Sequence, residues 1–225
     1  MQNPGLMTHT NTSCFLKKIY QTLYSYFGPQ YWWPAKDEFE VIVGAILTQN
    51  TAWTNVEKAI LQLKTKGILS PEKLYGTDIK IVAGLIRSCG YYNIKAARVK
   101  NFLDVLFNEF NGRLSSFLAL EKQTLRDRLL RIKGIGPETA DSIVLYAAKK
   151  ASFVVDAYTK RFLCRHNLSK STDSYAQIQS LFENNLPRDV RLFNEYHALF
   201  VRLGKDFCRP TPRCNECPLK NTLPE

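Results

Sequence analysis

The chain has 225 residues, of which 45% are apolar, enough for one or two domains with a buried core and too many for a disordered polymer. Its 31 Lys and Arg against 20 Asp and Glu leave a formal charge of +11, which suits a polyanionic partner, nucleic acid first. No apolar run reaches the ~18–20 residues of a membrane span, and the opening MQNPGLMTHTNTS has no basic stretch leading an apolar one. Neither a membrane nor a secretory role is expected.

Phe15, Leu16, Ile19, Leu23 and Phe27 recur at helical spacing after Thr12 or Ser13, and Gly28 closes the segment. Residues 38–47, EFEVIVGAIL, are apolar almost all round; their β-branched side chains permit a strand, but the length favours a buried helix. Thr54 and Glu57 form a capping-box pattern ahead of Val56, Ala59, Ile60 and Leu63. Ser70-Pro71 opens a short helix, and Asp78 caps the next, which carries Ile79, Val82 and Ile86. After Asn93, Val99, Leu103, Leu106 and Phe110 mark a longer helix that Asn111-Gly112 ends. Leu125, Leu129 and Leu130 precede a glycine turn, and Ile143, Val144, Ala147 and Ala148 follow it. No alternation demands a sheet, so the class is all-α. From residue 208 onward, four prolines and three cysteines replace helical periodicity, as in a tail that wraps around a ligand or the rest of the protein.

The glycine turn, KGIGPETADS at 133–142, makes a helical hairpin. Ile135 can anchor the turn in the core, while Gly134 and Gly136 permit positive φ and leave no side chain in the way of a phosphate. Pro137 suits the first helical position, the dipole of that turn attracts an anion, and Lys133 adds charge. A lone glycine pair of this kind also serves as an ordinary tight connection between helices. The leucine-rich helix before it and the basic balance of the chain favour DNA-backbone binding, which positions a protein without reading sequence.

Residues 129–140, LLRIKGIGPETA, resemble the helix-hairpin-helix of the endonuclease III family of DNA glycosylases. FVVDAYTKRF, LTQNT (47–51) and GYYNIKA (90–96) resemble further family segments, in the family's order. The resemblance implies two helical lobes: residues 33–149 as a six-helix lobe with the hairpin, and residues 1–32 with 150–225 as a discontinuous second lobe. It implies Asp156 as the catalytic carboxylate, Gln49 as a plug for the hole left by an extruded base, and Tyr91 as a wedge in the neighbouring step. Gly134, Ile135, Gly136 and Lys133 complete the DNA-binding set. On local sequence alone, Asp156 reads first as the N-cap of the helix through Lys160 and Phe162, and it is the resemblance that makes it the catalytic residue.

Many members of this family also cut the strand, through a lysine that forms a Schiff base with the sugar. Glu138 stands at that position here, which implies a glycosylase that leaves an abasic site uncut. YWWPAKDEFEVIVGAILTQNTAW holds every tryptophan and resembles the 3-methyladenine DNA glycosylase branch. That resemblance implies Trp32, Trp33, Pro34, Trp53 and Glu138 as base-pocket residues, and an electron-rich indole face attracts a cationic alkylated purine. Oxidised pyrimidines with lyase activity, or DNA binding without catalysis, are the alternatives.

Cys208, Cys214 and Cys217 resemble the family's terminal iron–sulfur loop, with the first gap one residue short and Leu223 at the place of the fourth cysteine. A [4Fe–4S] cluster takes four thiolates, so three readings stand: a cluster completed by another ligand such as Cys164, a zinc ion, or no metal. His9, His166 and His197 are dispersed, and His197 reads as a structural residue among Phe193, Leu199 and Phe200. The implied partner is double-stranded DNA with a damaged base. The expected setting is cytoplasmic, at the nucleoid, and the expected state is a monomer.

Overall fold

A computed structural model describes residues 9–222, with side chains from residue 12. Among the described residues it contains twelve α-helices and no strand, so the all-α expectation holds. In chain order they are α1 (His9–Phe27), α2 (Glu38–Leu47), α3 (Trp53–Thr65), α4 (Pro71–Gly76), α5 (Ile79–Leu85), α6 (Tyr92–Phe110), α7 (Leu114–Leu118), α8 (Lys122–Arg131), α9 (Pro137–Ser142), α10 (Ala157–Arg165), α11 (Tyr175–Glu183) and α12 (Val190–Asp206). The chain divides into two compact units, Trp33–Lys150 and Met1–Trp32 with Ala151–Glu225. No described helix is long and apolar enough to cross a membrane.

The unit Trp33–Lys150 is built around α2. Every residue of α2 from Phe39 to Leu47 is buried, and Asp37 caps it by accepting from the Glu40 amide. A buried segment with no neighbouring strand must close its own backbone hydrogen bonds, which is why the β-branched run becomes a helix. Ser70, Asp78 and the left-handed pair Asn111-Gly112 bound their helices as the local chemistry dictates. Short helices α4 and α7 raise the count above six; α4 is nucleated by its capping Ser70 with Pro71 at the first position, whereas α7 has no side-chain cap.

Two boundaries differ from expectation. The capping box at Thr54 does not form: α3 starts at Trp53, its N-cap is Ala52 without a side-chain bond, and Glu57 accepts from the Trp53 indole N–H at 3.0 Å. The indole has drawn Trp53 into the helix. Helix α1 begins by His9, ahead of Thr12, since residues 9–11 contain neither Gly nor Pro to stop it.

The second unit has an aromatic core. Phe153 stacks on Phe182 at 3.8 Å, Tyr196 on Phe200 at 4.8 Å, and the Tyr196 hydroxyl donates to the Leu16 carbonyl at 2.9 Å. Such ring pairs add about 0.5–1.5 kcal/mol each beyond their buried area. Helices α10 and α12 approach closely at Gly204, where a Cβ would lie 2.3 Å from Tyr158 Cδ1.

Candidate functional site

In the hairpin, α8 leads through an extended Ile132 to Gly134 at φ +98, and Ile135 is buried as expected. Gly136 departs from expectation: its φ is −94, so only Gly134 uses the freedom of a missing side chain. The reason lies inside the protein. A Cβ on Gly134 would sit 2.4 Å from Arg98 Cγ, whereas one on Gly136 would meet nothing within 4 Å. Gly134 therefore makes room for Arg98, and the open side of the turn is at Gly136. Lys133 is exposed, and its carbonyl accepts from Asn101 at 2.8 Å.

Gln49 lies just past the end of α2. Its amide donates to the Gly134 carbonyl at 3.1 Å and to Thr139 Oγ1 at 2.8 Å, and its Oε1 accepts from the Arg98 guanidinium. The plug implied by resemblance is thus tied to the hairpin in the free protein, through an arginine that sequence reasoning missed. Asn50 beside it is left-handed at φ 52.

Tyr91 is 72% exposed and left-handed at φ 45, a strained backbone for a bulky residue. It follows Gly90 and heads α6 without capping it. Behind it lies an unforeseen residue, Lys95, 1% exposed, whose ammonium donates to the carbonyls of Leu47 at 2.9 Å and Cys89 at 2.7 Å. Each carbonyl ends a helical segment, where a cation is favourable. Burial lowers the Lys95 pKa. One buried cation thus joins the roots of the Gln49 and Tyr91 loops.

Trp33, Pro34 and Trp53 line a hollow of about 200 Å³ with Glu40, Glu57, Ile60, Leu61 and Lys64. The two indoles meet edge to face, centroids 5.0 Å apart, and both rest on Gly44. They form one wall, not two jaws. Glu40 pairs with Lys64 at 2.7 Å. Trp32 and Glu138 are outside this lining: Trp32 belongs to the other unit, and Glu138 is exposed in the first turn of α9.

Asp156 ends the extended run Phe153-Val154-Val155, whose side chains are buried. With no strand beside it, that run has its backbone satisfied from α11: Glu183 accepts from Phe153 N at 2.9 Å, Gln179 donates to Phe153 O at 2.8 Å, and the Tyr175 hydroxyl accepts from Val155 N at 3.3 Å. Asp156 then caps α10, with Oδ1 accepting from the Thr159 amide at 2.7 Å and hydroxyl at 2.9 Å. Burial opposes its charge, yet His197 and the Thr159 donors outweigh burial and hold the carboxyl below its ordinary range. The residue is 8% exposed. This is an anchored carboxylate kept as an anion, able to stabilise positive charge or orient a water.

Cys208, Cys214 and Cys217 border a cavity of about 850 Å³ whose lining also includes apolar Phe162, Leu203 and Phe207 and basic Arg165, Arg213 and Lys220. Arg165 donates to Cys208 Sγ at 3.4 Å and to the Arg209 and Pro210 carbonyls, while Arg161 donates to the Cys208 carbonyl at 2.7 Å. The helix capped by Asp156 therefore also grips the tail. Among the described residues no three His, Cys, Asp or Glu side chains converge on a single-ion site. Three cysteines border this one cavity where a cluster takes four thiolates, and the arginines and lysine of its lining suit a negatively charged group. Cys164 is outside the lining, its sulfur 3.6 Å from Ser169 Oγ, and Leu223 lies outside the described residues.

Residues 43–188 match the family described as "HhH-GPD superfamily base excision DNA repair protein". The chain is 47% identical over 205 residues to a Methanocaldococcus jannaschii protein named "Putative DNA repair glycosylase MJ1434", covering 90% of this chain and 93% of that one. It is 28% identical over 188 residues to endonuclease III of Sulfolobus acidocaldarius, covering 83% and 81%. The H. pylori 3-methyladenine DNA glycosylase (MagIII) bound to 1,N6-ethenoadenine superposes with a TM-score of 0.71 at 28% identity, over 86% of this chain and 97% of that one. A non-covalent endonuclease III–DNA complex shares the fold with a TM-score of 0.81 at 20% identity, over 97% and 96%. With its hairpin, its ordered loops and its anchored aspartate, the chain belongs to the HhH-GPD superfamily of base excision DNA repair proteins.

Proposed function

We propose that this protein is a DNA N-glycosylase that swings an alkylated purine out of duplex DNA and hydrolyses its N-glycosidic bond, leaving the strand intact. The observation that carries the reading is Asp156, a nearly buried carboxylate whose partners keep it ionised. Breaking a glycosidic bond builds oxocarbenium-like positive charge on the sugar, and a fixed anion lowers that barrier without reorganising. Exposed Tyr91 is suited to enter the duplex, half-buried Gln49 would follow on release from the hairpin, and Gly136 offers the open backbone that a phosphate needs.

The alkylated purine is supported by the hollow at Trp33 and Trp53, where Glu57 accepts from the indole N–H and Glu40 is already paired with Lys64. An indole face, with the Glu57 carboxylate beside it, favours a cationic heterocycle. The likeness to a 3-methyladenine DNA glycosylase points the same way. The uncut strand is supported by Glu138, which has no amine for an imine with the sugar.

Duplexes bearing an N-alkylated purine, an oxidised pyrimidine or no lesion test both halves. Free base should appear from the alkylated duplex alone, with abasic product and no covalent adduct after borohydride. Preferential release of oxidised pyrimidine with a trapped adduct would move the protein to the glycosylase/lyase group. No release from any duplex would leave a DNA-binding role.

Cys208, Cys214 and Cys217 would hold an iron–sulfur cluster in the tail cavity, which would staple the tail beside α10 when bound. Protein purified without oxygen is expected to be brown, and Cys214→Ser should bleach the visible absorption. Colourless wild-type protein with no iron after reconstitution would remove the cluster.

A further inference from the structure

The two oxygens of Asp156 are held from different elements. Oδ1 accepts both Thr159 donors within the first turn of its own helix, at 2.7 and 2.9 Å. Oδ2 faces His197 Nε2 at 3.5 Å, from the middle of α12. Both side chains are enclosed, His197 7% and Asp156 10% exposed. Packing alone does not require an imidazole among Phe193, Leu199 and Phe200, and the ring has turned its nitrogen to the carboxylate.

We propose that His197 is the positioning residue of the catalytic carboxylate, donating from Nε2 to Oδ2 so that Asp156 enters the reaction ionised and in one orientation. The proposal rests on Asp156 being that carboxylate. The Thr159 bonds alone leave the carboxylate free to swing about Oδ1; a partner on Oδ2 removes that freedom. At 3.5 Å the contact is at the outer edge of hydrogen-bond reach, and catalytic contacts of this kind tighten when substrate is bound. His197 is itself held firmly. On the same helix Tyr196 is bonded to Leu16 and stacked on Phe200, and Gly204 abuts Tyr158 of α10. The groups acting on the carboxylate are His197 from α12 and Thr159 from α10, both favouring the anion against burial. No proton is transferred by His197 in this role; it supplies orientation and field.

Two amide variants separate positioning from packing. In His197→Gln the side-chain N–H can stand where Nε2 stands, whereas in His197→Asn it is too short to reach Oδ2. Single-turnover base release from an alkylated duplex, followed against pH, should show the acid limb of His197→Asn about one unit or more above wild type, with His197→Gln at least partly restored. An unmoved acid limb, with both variants slowed equally at every pH, would overturn the positioning role and leave packing. Circular dichroism checks the fold. Should His197→Asn not fold, the nitrogen resonance of His197 Nε2 replaces it, compared between wild type and Asp156→Asn. A changed resonance supports the contact, and an unchanged one overturns it. Asp156→Asn also separates the two levels. If it is inactive while the acid limb of His197→Asn stays in place, only this inference fails; if it releases base as fast as wild type, the catalytic reading fails first.

Discussion

An Asp156→Asn variant is expected to lose roughly 10²- to 10³-fold or more in single-turnover base release, the loss seen when a preorganised electrostatic group is removed. Its DNA affinity should stay near that of wild type. Asn is as good an N-cap as Asp, and its amide oxygen can still accept from Thr159 N and Oγ1, so α10 and the tail it grips should remain folded. The substitution removes charge with little change of shape. Stability should respond to pH with a defined sign. Because the folded carboxyl is held below its ordinary value, its contribution is present above the unfolded pKa of about 3.9 and is lost as pH falls through the lower folded value. Wild type should therefore lead the variant in denaturant midpoint at neutral pH, and the lead should shrink on strong acidification. A variant that keeps wild-type turnover would remove Asp156 from the mechanism, whatever its stability.

Gly134→Ala is expected to weaken DNA binding about ten- to a hundredfold, while Gly136→Ala leaves the fold unchanged. At Gly134 the backbone sits at φ +98, which costs a side-chain-bearing residue on the order of 1–3 kcal/mol. The added Cβ would also strike Arg98 near its stem, at Cγ and Cδ, where the side chain cannot simply swing aside. Displacing Arg98 loosens its bond to Gln49, and Gln49 in turn holds the Gly134 carbonyl and Thr139. One methyl group thus disturbs the hairpin and the plug together. A loss of 1.4–2.8 kcal/mol in binding corresponds to about ten- to a hundredfold in Kd. Titration of an abasic-analogue duplex at fixed salt measures it, with thermal unfolding of both variants as the control. Equal affinity for Gly134→Ala and wild type would show that the hairpin tolerates a side chain there.

The helices were legible where their causes are local. Ser70-Pro71, Asp78 and Asn111-Gly112 act within a turn of themselves, so their pattern along the chain is their structure. Asp156 was legible as a cap for the same reason, and its catalytic reading came from resemblance. Glu57 was misread because the capping-box pattern at Thr54 is equally local, yet the Trp53 indole seated on Gly44 draws Trp53 into the helix and leaves Glu57 bonded to it. The glycine spacing permitted positive φ at both Gly134 and Gly136, but only Gly134 adopts it, with Arg98 packed against it.

By itself the sequence determined the all-α class and the helical hairpin, since periodicity, caps and glycine spacing each act over a few neighbouring residues, and the superfamily was legible only through the resemblance of its ordered segments. Only the tertiary structure decided which side chains meet across the chain: Lys95 with the Leu47 carbonyl 48 residues away, Gln49 with the hairpin, His197 with Asp156. Those pairings arise when buried polar groups must find partners in a close-packed interior, and no repeat along the chain records which partner the packing brings within reach.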